Sequence, residues 1–146
     1  MRSFPLQIVT ADGLAFDGQA ESISVRAAGG DMSVQAGHCD YVTVLGMGQA
    51  RLIVDGKVRT AACIGGMLAV ADGKVRLVPT TFEWAEDIDL TRARHAKEYA
   101  EAYLNSHPGE TDSREYRHFE AQSRKQIVAE SKFQSLMRNR YIKPIL

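Results

Sequence analysis

The chain has 146 residues, of which 45% are hydrophobic and 25% are charged. This composition is that of an ordinary folded protein and excludes a disordered chain. Its apolar runs are shorter than the roughly 20 residues that span a bilayer, so we expect no direct membrane insertion. The formal net charge is zero, but residues 114–146 hold eight Lys and Arg against three Glu. Because aromatic residues are sparse among these cations, an acidic protein surface is a better partner for this basic segment than nucleic acid.

The first half of the chain has the alternating pattern of short strands, whose spacing predicts an antiparallel sandwich or flattened barrel. The predicted strands cover residues 4–9, 15–17, 21–26, 32–35, 41–45, 49–54, 57–62, 67–70 and 74–78. Four Asp-Gly pairs predict tight turns, because they accept positive φ angles: Asp12-Gly13, Asp17-Gly18, Asp55-Gly56 and Asp72-Gly73. Alternation predicts an inward-facing set made up of Ile23, Val25, Leu52, Val54, Val58, Ala62, Val75 and Leu77.

At residues 83–93 the hydrophobic period changes from about 2 to about 3.6, which predicts a domain junction. We therefore expect a β domain over 1–84 and a helical domain over 85–146. Asp87 or Asp89 can cap the first helix, which should end near Leu104. A second helix is predicted for residues 113–141. Its apolar stripe is interrupted, so it is suited to more than one docking position.

Few residues suggest catalysis or metal binding. His38 and Cys39 resemble a base and a nucleophile, but neighbours on an extended chain point to opposite faces, so a small hydrolase serves only as a contrasting hypothesis. Cys39 and Cys63 are expected to be buried thiols rather than a disulfide. The other histidines lack zinc-ligand spacing, so no metal site is predicted.

Several short motifs occur in a fixed order along nearly the whole chain. They are Ile8-Val9-Thr10, Phe16-Asp17-Gly18, Glu21-Ser22-Ile23, the segment from Gly30-Asp31-Met32 to Gly37-His38, Gly65 to Val70, and Glu86 to Ala93. In this order they resemble the epsilon subunit of the bacterial F-type ATP synthase. The resemblance implies a ten-stranded β-sandwich followed by a C-terminal antiparallel hairpin of two helices.

The resemblance also implies a non-catalytic rotor subunit of a proton- or sodium-translocating complex. Such a subunit lies in the central stalk at the cytoplasmic face of the membrane, as a peripheral component, and couples rotation of the c-ring to the gamma shaft. Its C-terminal helices can extend towards the alpha and beta subunits and restrain ATP hydrolysis. The implied partners are therefore the gamma subunit, the c-ring and the alpha and beta subunits.

The resemblance assigns Gly30, Asp31 and His38 to the rotor interface and Arg138 and Arg140 to an acidic loop of the beta subunit. The alternative reading of Gly29-Gly30-Asp31 is a simple surface turn. The family usually follows the histidine with Ala and Pro, whereas this chain continues with Cys39-Asp40-Tyr41.

No cofactor is required by this resemblance, but it implies a regulatory ATP, with or without Mg. Family members that bind ATP carry a motif that matches residues 88–93, and the implied nucleotide ligands are Glu83, Ile88, Asp89, Arg92 and Arg124. Arg92 suits a phosphate, because its guanidinium is a planar donor of several hydrogen bonds. The alternative is that Asp89 only caps the helix, and Tyr99 replaces an expected arginine. The alternative function is a free-standing nucleotide-sensing module.

Overall fold

A computed structural model describes residues 2–106 of the chain, which divides into two units, Met1–Ala85 and Glu86–Leu146. The first unit consists of ten strands. They are β1 (Phe4–Thr10), β2 (Gly13–Ala20), β3 (Ser22–Ala27), β4 (Gly30–Gln35), β5 (Tyr41–Val44), β6 (Met47–Val54), β7 (Lys57–Ile64), β8 (Met67–Ala71), β9 (Lys74–Val78) and β10 (Thr81–Trp84). Nine of them fall where alternation predicts strands, and the tenth was implied only by the family resemblance.

The strands form two five-stranded sheets. Sheet A has the order β2-β1-β9-β8-β5 and sheet B the order β10-β7-β6-β3-β4. All pairings are antiparallel except that of β1 with β9, which is parallel. The expectation of a purely antiparallel sandwich was wrong for this one pair. The spacing of strands along the chain does not indicate the direction in which distant strands pair. The ten-stranded sandwich is confirmed. The second predicted helix lies outside the described residues.

The core lies between the inner faces of the two sheets. Its fully buried larger side chains are Leu6, Ile8, Leu68 and Leu77 from sheet A and Ile23, Val34 and Leu52 from sheet B. Burying one such side chain contributes about 1.5–3 kcal/mol, so both sheets depend on this shared layer. The predicted inward set is confirmed for β3 and β9, and in β6 Leu52 is buried while Val54 packs partly against the core.

The predicted inner face of β7 was wrong by one residue. The two-residue turn Asp55-Gly56 pairs Leu52 with Arg59 and Ala50 with Ala61, so Ala61 and Cys63 face the core. Val58 is instead 48% exposed, and Ala62 is buried without joining the core cluster. A turn of fixed length sets the register, and a shift of one residue exchanges the two faces.

Two of the four Asp-Gly pairs adopt positive φ at both residues. Asp55 and Gly56 have φ of 49° and 70°, and Asp72 and Gly73 have 49° and 73°. This geometry matches the twist of the flanking strands. At the first hairpin the carboxylate of Glu21 also accepts a hydrogen bond from the Gly56 amide at 3.0 Å. The turn predicted at Asp17-Gly18 was wrong, since both residues lie within β2, paired with β1.

A 3-10 turn, Ala85–Asp87, lies at the boundary of the two units in the chain, and the helix α1, Leu90–Ser106, follows it in the second unit. Asp89 is the residue that caps it. Its Oδ1 accepts hydrogen bonds from the amides of Thr91 and Arg92 at 2.9 and 3.2 Å, while its carbonyl accepts from Ala93. The first amides of an α-helix precede the repeating i to i−4 hydrogen bonds, so an aspartate carboxylate that accepts from them is favoured at this position. Within residues 2–106, no helix has the length and apolar content needed to cross a membrane.

Candidate interaction surfaces

The outer face of sheet A carries a row of apolar side chains that crosses all five strands. Leu14 of β2 pairs with Val9 of β1, and Val78 of β9 pairs with Met67 of β8, which pairs with Val44 of β5. The parallel register of Ile8 with Leu77, continued by one residue, places Val9 beside Val78. We call Leu14, Val9, Val78, Met67 and Val44 the apolar row.

Four members of the apolar row are exposed. The exposed fractions are 58% for Leu14, 63% for Val44, 43% for Met67 and 39% for Val78, and the neighbouring Val42 is 64% exposed. Leu14 reaches this face because a register shift between Ile8 and Val9 turns it outward. Single exposed hydrophobic residues are normal, but a contiguous set of them marks an interaction site. Sequence reasoning missed this row, because each strand contributes one residue to it.

A polar network lies next to the apolar row on the same face. Arg76 of β9 donates from Nη2 to Oε1 of Gln7 at 3.1 Å, and Nε2 of Gln7 donates to Oδ2 of Asp17 at 3.4 Å. The strand register places the three residues side by side across β9, β1 and β2. On the other side of Arg76, the residues in the same cross-strand line are apolar: Ala69 of β8 pairs with Arg76, and Val42 of β5 pairs with Ala69. This second line of side chains is therefore polar over β2, β1 and β9 and apolar over β8 and β5, while the apolar row beside it crosses all five strands.

The rotor residues predicted from the resemblance lie at opposite ends of β4. Gly30, with φ of 131°, and Asp31 begin this strand beside the turn from β3, and Asp31 forms an exposed ion pair of 3.3 Å with Arg26. The amide of Ala28 in that turn donates to the carbonyl of Val44, which joins the turn to the end of β5. His38 follows the far end of β4. Five strand residues at about 3.3 Å each separate Gly30 from Gln35, so the structure does not bring His38 to Gly30.

The geometry of His38 and Cys39 does not suit a nucleophile and its base. His38 Nδ1 lies 2.7 Å from the carbonyl oxygen of Cys39 and 3.9 Å from its Sγ. A carbonyl oxygen only accepts, so Nδ1 carries the proton and donates it there, and has no lone pair left for the thiol. Within residues 2–106 no group of three His, Cys, Asp or Glu residues is arranged to hold a metal ion.

The two cysteines have opposite environments. Both are free thiols, and Cys39 is exposed, which corrects the expectation that it is buried. Cys63 faces the core from β7, and burial raises the pKa of its thiol from 9.0 to about 12, because the thiolate would lose its hydration there. Cys63 is therefore a packing residue, while Cys39 is open to reagents.

The residues of the nucleotide motif fall in two elements. Glu83 lies half-buried in β10, paired with Ala62. Ile88 and Asp89 precede α1 and Arg92 lies in its first turn. Asp89 has an exposed side chain that caps the helix, while Arg124, Arg138 and Arg140 lie outside the described residues.

The two aromatic side chains of β10, Phe82 and Trp84, contact each other, and Trp84 also contacts Arg59 of β7. The guanidinium carbon of Arg59 lies 3.8 Å from the centre of the Trp84 ring, and Phe82 meets Trp84 edge to face with ring centres 4.9 Å apart. Such a cation and aromatic contact contributes about 0.5–2 kcal/mol, depending on its exposure. The last strand of the sandwich is thus fixed to sheet B by side chains as well as by its backbone.

Comparison with known proteins defines the class of this fold. The family described as the beta-sandwich domain of the ATP synthase delta/epsilon chain matches residues 3–85. The ATP synthase epsilon chain of Bacillus velezensis is 40% identical over 114 residues, covering 78% of this chain and 86% of the relative. The epsilon chain of Caldicellulosiruptor saccharolyticus is also 40% identical, over 71% of this chain and 76% of the relative. The chain belongs to the epsilon subunit family of the F-type ATP synthases.

Two solved structures are similar in fold. A chain of the Euglena gracilis mitochondrial ATP synthase, in a structure of OSCP, F1 and c-ring, superposes with a TM-score of 0.77 at 25% identity, covering 90% of this chain and 81% of the other. A chain of the Tetrahymena thermophila mitochondrial ATP synthase, from a structure of its central stalk and c-ring, has a TM-score of 0.56 at 13% identity. At that identity the second likeness concerns the fold alone.

Proposed function

We propose that this chain is a non-catalytic rotor subunit in the central stalk of an F-type ATP synthase, where it couples rotation of the c-ring to the gamma shaft. Its relatives are named as ATP synthase epsilon chains, and similar chains occur in structures of ATP synthase complexes. The observation that carries the proposal is the apolar row. A face with this much exposed apolar surface suits a subunit that is permanently docked in a larger assembly.

The gamma subunit is the proposed occupant of the apolar row. Docking there would remove the exposed side chains of Leu14, Val44, Met67 and Val78 from water. Each Å² of apolar surface that is buried stabilises the complex by about 25 cal/mol. The row spans the whole width of sheet A, so one partner can contact all five strands. A rotor component that transmits torque needs such a broad and rigid contact, and strands provide one without ordering loops.

The c-ring is the proposed partner of the turn that contains Gly30 and Asp31. This turn lies at the same end of the sandwich as Val44, to which Ala28 is hydrogen bonded, so a ring at that end would border the gamma contact. His38, at the other end of β4, then belongs to a different contact from Asp31. The coupling ion, proton or sodium, is a property of the ring. The subunit would be peripheral, at the cytoplasmic face of the membrane.

We assign the restraint of ATP hydrolysis to the segment after α1. That segment is basic, and Arg138 and Arg140 would pair with an acidic loop of the beta subunit when it extends towards the alpha and beta subunits. A switch of this kind needs contacts that differ between its two positions. Removing residues 107–146 should therefore raise the ATPase rate of the reconstituted enzyme while leaving the gamma contact intact.

Reconstitution with the gamma subunit tests the assignment directly. The full chain and gamma, mixed at micromolar concentration, should migrate together on gel filtration. The test variant is Val44→Asp, in the apolar row. Its matched control is Val58→Asp, at an exposed valine of sheet B. We expect the first variant to separate from gamma and the second to remain bound. Separate migration of the unaltered chain would contradict the assignment.

A second candidate function is nucleotide sensing, either within the complex or by a free-standing module. It is favoured by the motif at the start of α1, where the carboxylate of Asp89 is exposed and Arg92 follows in the first helical turn. Titration calorimetry with ATP, with and without Mg, tests it on the unaltered chain, Arg92→Ala and Asp89→Asn. Asparagine still caps a helix, so loss of heat in Asp89→Asn would assign the carboxylate to ATP. Equal heats from all three proteins would exclude these residues.

A further inference from the structure

The centre of the outer face of sheet A is occupied by an arginine. Arg76 lies in β9, the third of the five strands, between Gln7 of β1 and Ala69 of β8. Two residues along the same strand, and on the same side, Val78 belongs to the apolar row. Arg76 is exposed in the chain alone. Any partner that covers the apolar row must therefore also cover or border this guanidinium.

The guanidinium is held in place without being neutralised. Gln7 accepts from Arg76 Nη2 at 3.1 Å through its carbonyl, and its amide donates to Asp17 at 3.4 Å, so the charges at either end set the orientation of the glutamine. Gln7 separates the two charges. Among residues 2–106, no carboxylate comes within ion-pair distance of Arg76, whereas Arg26 on sheet B pairs with Asp31.

A docked partner would change the energetics of this charge. Apolar contact excludes water from the centre of an interface, and a guanidinium that loses water without gaining a negatively charged partner weakens binding. A carboxylate removes this penalty, because it matches the guanidinium with two parallel hydrogen bonds. Gln7 lowers the entropy lost on pairing, since the arginine is already oriented. Arginine at the centre of an interface is also a common energetic hot spot.

We propose that Arg76 is a specificity-determining residue of the docking face and that it pairs with a carboxylate of the gamma subunit. The proposal rests on the function proposed above, in which gamma covers the apolar row. It adds the chemistry of the contact: gamma presents an apolar surface with one acidic side chain opposite β9. Gln7 is a positioning residue that orients the arginine, and a partner with an apolar surface but no such acid would be rejected.

The test compares charge reversals on the two sheets. The affinity of gamma for the full chain is measured by calorimetry at low and high salt for the unaltered chain, Arg76→Glu, Arg76→Leu and Arg51→Glu. Arg51 is exposed on β6 of sheet B, so it matches Arg76 in charge but not in position. We expect Arg76→Glu to weaken binding by about 30-fold or more, and Arg51→Glu to change it less than threefold. Arg76→Leu should also flatten the salt dependence of binding.

A reciprocal change identifies the partner group. Each exposed Asp and Glu of gamma is replaced in turn by Arg, and one of these variants should restore binding to Arg76→Glu by at least tenfold. Failure of every replacement would overturn the proposed pair. So would binding of Arg76→Glu within threefold of the unaltered chain.

The variant Val44→Asp, in the apolar row, separates this inference from the proposed function. If Val44→Asp abolishes binding while Arg76→Glu does not, the docking face is right and the role of Arg76 is wrong. If neither substitution weakens binding, gamma does not dock on this face and both proposals fail. Thermal unfolding of each variant alone should match that of the unaltered chain, because both side chains are exposed.

Discussion

The two sheets of the sandwich have equivalent inner faces and different outer faces. Both contribute fully buried Leu and Val or Ile to one core. Outside, sheet A exposes Leu14, Val42, Val44, Met67 and Val78, whereas Val58 is the exposed large hydrophobic residue described on sheet B. Sheet B instead shows polar pairs such as Ser24 with Ser33 and Arg26 with Asp31. Since the core is shared, folding does not require the exposed apolar residues of sheet A, and their cost in water points to a partner.

The largest predicted effect tests the equivalence of the inner faces. Leu52→Ala in sheet B and Leu68→Ala in sheet A each remove a fully buried leucine. Each should lower the free energy of unfolding by about 3 kcal/mol, because transfer energy is lost and a cavity remains. Urea denaturation of the two variants measures this. Losses that differ by more than about twofold would show that one sheet carries the core alone.

The next effect separates the outer faces. Val44→Asp should weaken gamma binding by about 30-fold, because a charge would be buried without a partner, while Val58→Asp should leave it within threefold. Both variants should unfold at nearly the same denaturant concentration as the unaltered chain, because surface substitutions usually cost less than about 0.5 kcal/mol. Equal loss of binding from both would remove the difference between the faces.

A smaller effect concerns the thiol on the inner face of sheet B. The folded Cys63 has a pKa of about 12, and the unfolded thiol one near 9.0. The unfolded state therefore releases its proton first, and the free energy of unfolding falls as pH rises above 9. Between pH 9 and 10 the loss should be about 1 kcal/mol relative to Cys63→Ala.

Thiol labelling provides the matching control within the same chain. At pH 8 the exposed Cys39 should react with a maleimide within minutes, whereas the buried Cys63 should react only after unfolding. Rapid labelling of both cysteines would contradict the assignment of Cys63 to the core. The same assignment would fail if the free energy of unfolding depended on pH in the same way in Cys63→Ala and in the unaltered chain.

The smallest effect tests the polar pairs of sheet B. The side chains of Arg26 and Asp31 are 51% and 78% exposed, so water screens their attraction. Arg26→Ala should change the free energy of unfolding by less than about 0.5 kcal/mol and leave gamma binding unaltered. A larger loss of stability in urea denaturation would mean that these pairs support the sheet itself.

The sequence predicted the local features of the fold, but it did not predict the features that depend on strand register. Asp-Gly turns and alternation predicted nine strands, and the acidic residues after β10 predicted a cap, which proved to be Asp89. The inner face of β7 was missed, because the register of a hairpin depends on the conformation of its turn. Strand β10 was missed because Thr81–Trp84 is short and its alternation is weak.

The candidate site was still less accessible from sequence. Leu14, Val44, Met67 and Val78 are distant along the chain, and each reads locally as an ordinary strand residue. They become one surface only after β1 has paired in parallel with β9 and a register shift has turned Leu14 outward. The role proposed for Arg76 likewise depends on strand pairing, which places Gln7 of β1 and Asp17 of β2 beside it. The family resemblance implied partners, but it did not indicate the face on which we propose that gamma docks.

Oxidation of Met67 tests the central claim, that gamma docks on the outer face of sheet A, most directly. Met67 is 43% exposed, so brief peroxide or hydroxyl-radical treatment of the free chain should convert it to the sulfoxide, as mass spectrometry of peptides would record. In the complex with gamma, we predict at least tenfold slower oxidation of Met67 and an unchanged rate for Met47 of sheet B. Equal oxidation of Met67 in the free chain and in the complex would contradict the account.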